Sequence, residues 1–87
     1  MKNTTMTIVL KGHIFTAQVV TETHEGFVEY HISPNDEDLN ALYSTQSIAV
    51  YPDRPYQCSI TATDEDSKEY SRALITGLHS MLYRRPQ

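Results

Sequence analysis

A chain of 87 residues with 39% hydrophobic and 21% charged residues and no low-complexity run is long enough for one folded domain and too short for two. The formal net charge of -4, with no basic stripe, disfavours direct nucleic-acid binding, which needs clustered Lys and Arg to release counterions from phosphate. A single cysteine, Cys58, precludes an internal disulfide and fits a reducing compartment, and no apolar run is long enough for a leader or a membrane span, so a cytoplasmic protein is expected.

The amino-terminal half reads as a three-stranded meander. Met6 to Leu10 alternates, Lys11-Gly12 offers a two-residue turn, and His13 to Glu22 continues extended. A second turn falls at His24-Glu25-Gly26, and Phe27 to Ile32 follows as the third strand. Closing the first hairpin at Lys11-Gly12 sets Ile8 opposite Phe15 and Met6 opposite Ala17. Closing the second at His24-Glu25 sets Val19 opposite Tyr30. Both registers gather Met6, Ile8, Phe15, Ala17, Val19, Val28, Tyr30 and Ile32 on one face, and a one-residue slip of either strand would break that agreement.

Ser33 as cap, Pro34 at the first helical position and Asp36 at the third predict a short helix from Pro34 to about Tyr43, with Leu39, Leu42 and Tyr43 at helical spacing. Ser47 to Tyr51 reads as a fourth strand and Tyr56 to Ala62 as a fifth. If the two pair, Val50 lies opposite Tyr56 across a five-residue loop holding Pro52 and Pro55. Thr63 is the expected cap of a long helix whose first turn is Asp64-Glu65-Asp66. Its apolar stripe is Tyr70, Ala73, Leu74, Gly77, Leu78, Met81 and Leu82. Arg84 and Arg85 complement its dipole, and Pro86 stops it. The expected fold is therefore one α+β domain spanning 1–87, of order β-β-β-α-β-β-α. In it the amphipathic C-terminal helix covers one face of an antiparallel sheet of about five strands.

The side chains that could carry chemistry have structural readings that account for them. The acidic triplets Asp36-Glu37-Asp38 and Asp64-Glu65-Asp66 fall in first helical turns, where negative charge is favoured. A calcium loop started at Asp64 would put Lys68, Glu69 and Ile75 at positions that need a ligand, a glycine and an acid. His13, His24, His31 and His79 lack the helical or short clustered spacing of a metal site and read as surface histidines. Cys58 alternates onto the apolar face of its strand, as an inert thiol would. With three glycines in all there is no phosphate-cradling loop and no nucleophile elbow. No catalytic, cofactor-binding or metal-binding residue is assigned.

What remains is contact chemistry. Tyr51, Arg54 and Tyr56 bracket the proline-containing loop, and tyrosine with arginine is the composition of interface hot spots. Val9, Ile14, Val20 and Phe27 lie on the second sheet face, either as an exposed patch or beneath the short helix. The expected function is a small non-enzymatic protein-binding module, an adaptor, inhibitor or homo-oligomeric accessory factor of the kind phages and mobile elements encode. It engages a protein partner or itself through Tyr51, Arg54, Tyr56, Val9, Ile14 and Phe27. The alternatives are an acidic nucleic-acid mimic that inhibits a host DNA- or RNA-binding protein, and a small metal-dependent hydrolase.

Overall fold

Lys11 and Gly12 both adopt positive φ, 50° and 78°, and two successive left-handed residues are what a type I′ turn needs to match the twist of a hairpin. That turn joins β1 (Lys2–Leu10) to β2 (His13–His24) in the expected register, with Leu10 opposite His13, Ile8 opposite Phe15 and Met6 opposite Ala17. The coordinates are a computed structural model that describes residues 2–61 and 63–83. The predicted roles of Ala62, Arg84, Arg85 and Pro86 lie outside the described residues.

The second hairpin corrects the expected register by two residues. Its turn is Glu25-Gly26, with Gly26 at φ 89°, so β3 (Phe27–Pro34) pairs His24 with Phe27, Glu22 with Glu29 and Val19 with Ile32 rather than Tyr30. A two-residue shift preserves parity, so the apolar faces still coincide. Met6, Ile8, Ala17, Val19 and Ile32 are buried, and Phe15, Val28 and Tyr30 are half-buried on the same side.

The short helix starts later than Ser33-Pro34 implies. Pro34 ends β3 opposite Ala17, and Asn35 N–H donates to Thr16 O, so sheet pairing claims the residues that local signals gave to the helix. Asp36 is the cap, its carboxylate accepting from Leu39 N–H, and α1 spans Glu37–Tyr43. Leu39 is buried, whereas Leu42, expected on the same apolar side, is 72% exposed.

β4 (Gln46–Val50) pairs antiparallel with β3, and β5 (Gln57–Cys58) with β4. The match of Ile48 with Cys58 is the register the expected Val50–Tyr56 alignment requires. Within the described residues β5 is two residues long, not the longer strand expected from Tyr56 onward. Strand order in the sheet follows chain order, β1-β2-β3-β4-β5.

α2 (Glu65–Leu82) is capped by Asp64 rather than Thr63, with Asp64 Oδ1 accepting from Ser67 N–H at 2.7 Å. Tyr70, Leu74 and Leu78 are its fully buried residues, and Ala73, Met81 and Leu82 pack around them. Gly77 sits where β1 passes closest: a Cβ there would overlap the Thr7 carbonyl oxygen and the Met6 side-chain tip. Both helices lie on the same side of the sheet, since Leu39 of α1 joins the core with the α2 stripe and Tyr43 stacks on Tyr70. α1 therefore does not cover the second face, where Val9 and Ile14 are 58% and 74% exposed while Val20 and Phe27 are half-buried. No described helix is long and apolar enough to cross a membrane.

Candidate functional site

Because strand side chains alternate, the face turned away from the helices carries every second residue, among them Val9, Ile14, Glu22, His24, Phe27, Glu29, His31 and Ser47 beside the polar Thr5, Thr7, Thr16, Gln18 and Ser33. Pairing arranges them in rungs across the strands. His24 lies opposite Phe27 at one end, and Tyr51, just past β4, stacks on Phe27 at 4.9 Å. The next rung is Glu22, Glu29 and Ala49, and the one after is Val20, His31 and Ser47.

The first rung is an aromatic column. His24 stacks on Phe27 with centroids 4.5 Å apart, Phe27 on Tyr51, and the Arg54 guanidinium caps the far side of Tyr51 at 4.8 Å. Stacking of this kind holds the rings in fixed mutual orientations. Arg54 also reaches Asp53, with Nε 3.8 Å from Oδ1. A cleft of about 550 Å³ opens beside this column.

Beside it lies a polar cluster formed by two repeats of the same triplet pattern, Glu22-x-His24 and Glu29-x-His31. The His24 Nε2 is 3.0 Å from Glu29 Oε1 and 3.5 Å from Glu22 Oε1. The His31 Nε2 is 3.0 Å from Glu22 Oε1 and 3.6 Å from Glu29 Oε1. The other ring nitrogen of His31, Nδ1, is 2.9 Å from Ser47 Oγ. The hydrogen bond from His31, helped by the nearby charge of His24, holds the Glu22 carboxyl below its ordinary value against a smaller opposing effect of burial.

The order Glu22, His31, Ser47 is that of an acid–imidazole–hydroxyl relay. Ser47 lies within a strand, however, and its own N–H already donates to Ser59 Oγ at 2.9 Å, so the donor next to the hydroxyl is spent. What these side chains offer chemically is a set of nitrogen and oxygen ligand atoms close together, with His31 Nε2 reaching the set through the two carboxylates. The donor atoms of Glu22, His24 and Glu29 all lie within 4.8 Å of one another.

The residues expected to bind a partner fall into two groups. Phe27, Tyr51 and Arg54 meet in the aromatic column, and Tyr56 joins them in lining the cleft. Val9 and Ile14 form a cross-strand pair at the opposite end of the same face. Tyr56 also packs against the core, and its hydroxyl lies 3.4 Å from His79 Nδ1. His13 and His79 are exposed and take no part in the cluster, whereas His24 and His31 are drawn into it. Cys58 is half-buried against the core. Comparison with protein-family models, with curated proteins and with solved structures gave no match.

Proposed function

We propose that this chain is a small non-enzymatic protein-binding module that associates with a second copy of itself through the uncovered face of its sheet. The observation carrying this reading is the distribution of cover. Both helices pack on one side, while the other leaves Val9 58% and Ile14 74% exposed. A water-facing sheet is ordinarily polar, and apolar side chains left on it are a docking surface in waiting.

A second copy fits the layout. Ten residues of β2 separate Ile14 from His24, roughly 33 Å at the usual strand rise. The face therefore has one apolar end at Val9 and Ile14 and another at Phe27 and Tyr51. A two-fold axis in the interface plane, crossing the strands at the middle of the face, sets each end of one copy against the opposite end of the other in an isologous contact. Five strands of 9, 12, 8, 5 and 2 residues at the usual rise and spacing give roughly 570 Å² per copy, so that two copies together exceed the roughly 1,000 Å² a specific interface should clear. Tyr51 and Arg54 supply hot-spot chemistry, already ordered by the Phe27 stack.

The non-enzymatic part of the reading is supported by the spent Ser47 N–H and by the packing of Cys58 on the core side. A fluorophosphonate probe should leave Ser47 unlabelled. A cytoplasmic location accords with the free Cys58 thiol.

Sedimentation of the full chain in chelator, over a range of concentrations, tests the association. A dimer is expected, dissociated by Val9→Lys and by Ile14→Lys with unchanged circular dichroism. A monomer at every concentration, or a dimer that survives both substitutions, overturns the assignment.

A further inference from the structure

We infer that Glu22, His24, Glu29 and His31 form a binding site for one borderline divalent transition ion of the zinc class. Three independent features of the cluster lead there.

The first is the donor set. Two imidazoles and two carboxylates match the ligands that zinc and its neighbours take, whereas calcium and magnesium are bound by oxygen alone.

The second is spacing. The four nitrogen–oxygen separations between the two histidines and the two glutamates are 3.0, 3.5, 3.0 and 3.6 Å. A tetrahedron with zinc-to-ligand bonds of ordinary length has edges of roughly 3.3 to 3.5 Å. The measured separations are four of the six edges. His31 stands outside the trio of Glu22, His24 and Glu29 whose donors all lie within 4.8 Å of one another, so the two imidazoles must approach each other as the half-exposed side chains rotate onto the ion. The glutamates stand directly opposite each other on β2 and β3, an arrangement of like charges that is unfavourable without a cation to share.

The third is orientation. Ser47 Oγ lies 2.9 Å from His31 Nδ1, leaving Nε2 facing the carboxylates. Metal-bound histidines are held in this way, with one ring nitrogen on the ion and the other donating to an outer partner. Coordination through Nε2 places the remaining proton of neutral His31 on Nδ1, where the Ser47 hydroxyl oxygen can accept it. Ser47 is thus a positioning residue. In the unassociated chain, with the Glu22 side chain 43% and the His24 side chain 32% exposed, an ion can enter from solvent.

The rival account of the same atoms is a plain network of hydrogen bonds between imidazoles and carboxylates. It makes no demand for an ion, so direct titration separates the two. The inference stands on ligand geometry and does not require the dimer, and calorimetry on a sample of known sedimentation behaviour lets each fail without the other.

The experiment is calorimetric titration of the tag-free full chain with zinc chloride, with magnesium as competitor. One zinc per chain is expected, undisturbed by millimolar magnesium. Glu29→Gln and His31→Gln, which preserve side-chain size, should weaken binding by more than 100-fold, and Ser47→Ala by about 10- to 100-fold. The double substitution His13→Gln with His79→Gln should leave it unchanged. In the unsubstituted protein, amide resonances that move on adding zinc should centre on residues 22–31 and 47, a readout that needs no variant to fold. Absence of stoichiometric binding overturns the site, as does zinc uptake that Glu29→Gln and His31→Gln leave unaltered, or resonance changes centred elsewhere.

Discussion

Tyr43 and Tyr70 stack with ring centroids 4.0 Å apart and planes 9° from parallel, and this contact ties the short helix to the long one above the covered face of the sheet. Tyr70 is fully buried, yet its hydroxyl has no hydrogen-bond partner among the described residues. A buried polar group without a partner costs about 1 to 3 kcal/mol. Tyr70→Phe keeps the ring and removes that cost. It should leave stability unchanged or raise it by about 1 kcal/mol, read as a melting temperature several degrees higher. A loss of more than about 1 kcal/mol would show that the hydroxyl makes a bond worth keeping.

The same burial makes stability sensitive to alkali. It pushes the Tyr70 phenol up to about 12 and raises Tyr30, Tyr43 and Tyr56 as well. In the unfolded chain these groups ionise near 10. Their contribution is therefore complete below pH 10 and declines from there toward pH 12, because the unfolded state releases protons that the folded state retains. Denaturant midpoints measured between pH 8 and 11.5 should fall across the upper part of that window, and less steeply for Tyr70→Phe.

Gly77→Ala should destabilise. At an exposed mid-helix position this exchange is favourable by roughly 0.5 to 1 kcal/mol. Here the new methyl would meet the Thr7 carbonyl oxygen, a backbone atom that cannot turn aside as the Met6 tip can. The helix must lift from β1, at a cost of about 1 to 3 kcal/mol. Chemical denaturation decides the sign, and a stabilised variant would contradict the close approach.

Asp64→Ala removes the acceptor for Ser67 N–H at the start of the long helix and should lower the thermal midpoint at neutral pH. Hydrogen bonds from Ser67 hold the Asp64 carboxyl below its ordinary value. Its contribution is therefore present above pH 3.8 and is lost as pH falls through the lowered value. The two proteins should converge on acidification, and a gap that persists at pH 2 would assign the effect to something other than the carboxylate.

How far the fold could be read in advance depended on where turn chemistry was unambiguous. Lys11-Gly12 is short and accepts left-handed backbone at both positions, so the first register followed directly. His24-Glu25-Gly26 offered two ways to close, and only parity survived the choice. The start of the short helix was misplaced because Ser33 and Pro34 satisfy local capping rules that pairing with β2 overrides. The ionisable cluster was hidden by the same register shift. With His24 assigned to the turn, it could not be seen to share a face with Glu22, Glu29 and His31. The repeated Glu-x-His spacing was the available signal, since period two is how a strand, unlike a helix, brings ligands together. The grouping of Tyr51, Arg54 and Tyr56 was legible because they bracket one loop, and with Phe27 they line one cleft; the separation of Val9 and Ile14 from them depended on strand lengths that alternation does not reveal.

Strand order that matches chain order has a consequence during synthesis. Each ribbon can zip onto its predecessor as it leaves the ribosome, at about 5 to 20 residues per second. Tyr70, Leu74 and Leu78 emerge only after all five strands, so the oily underside of the nascent sheet stands bare for seconds. Through that interval a holdase has more apolar surface to bind than it will find on the finished molecule.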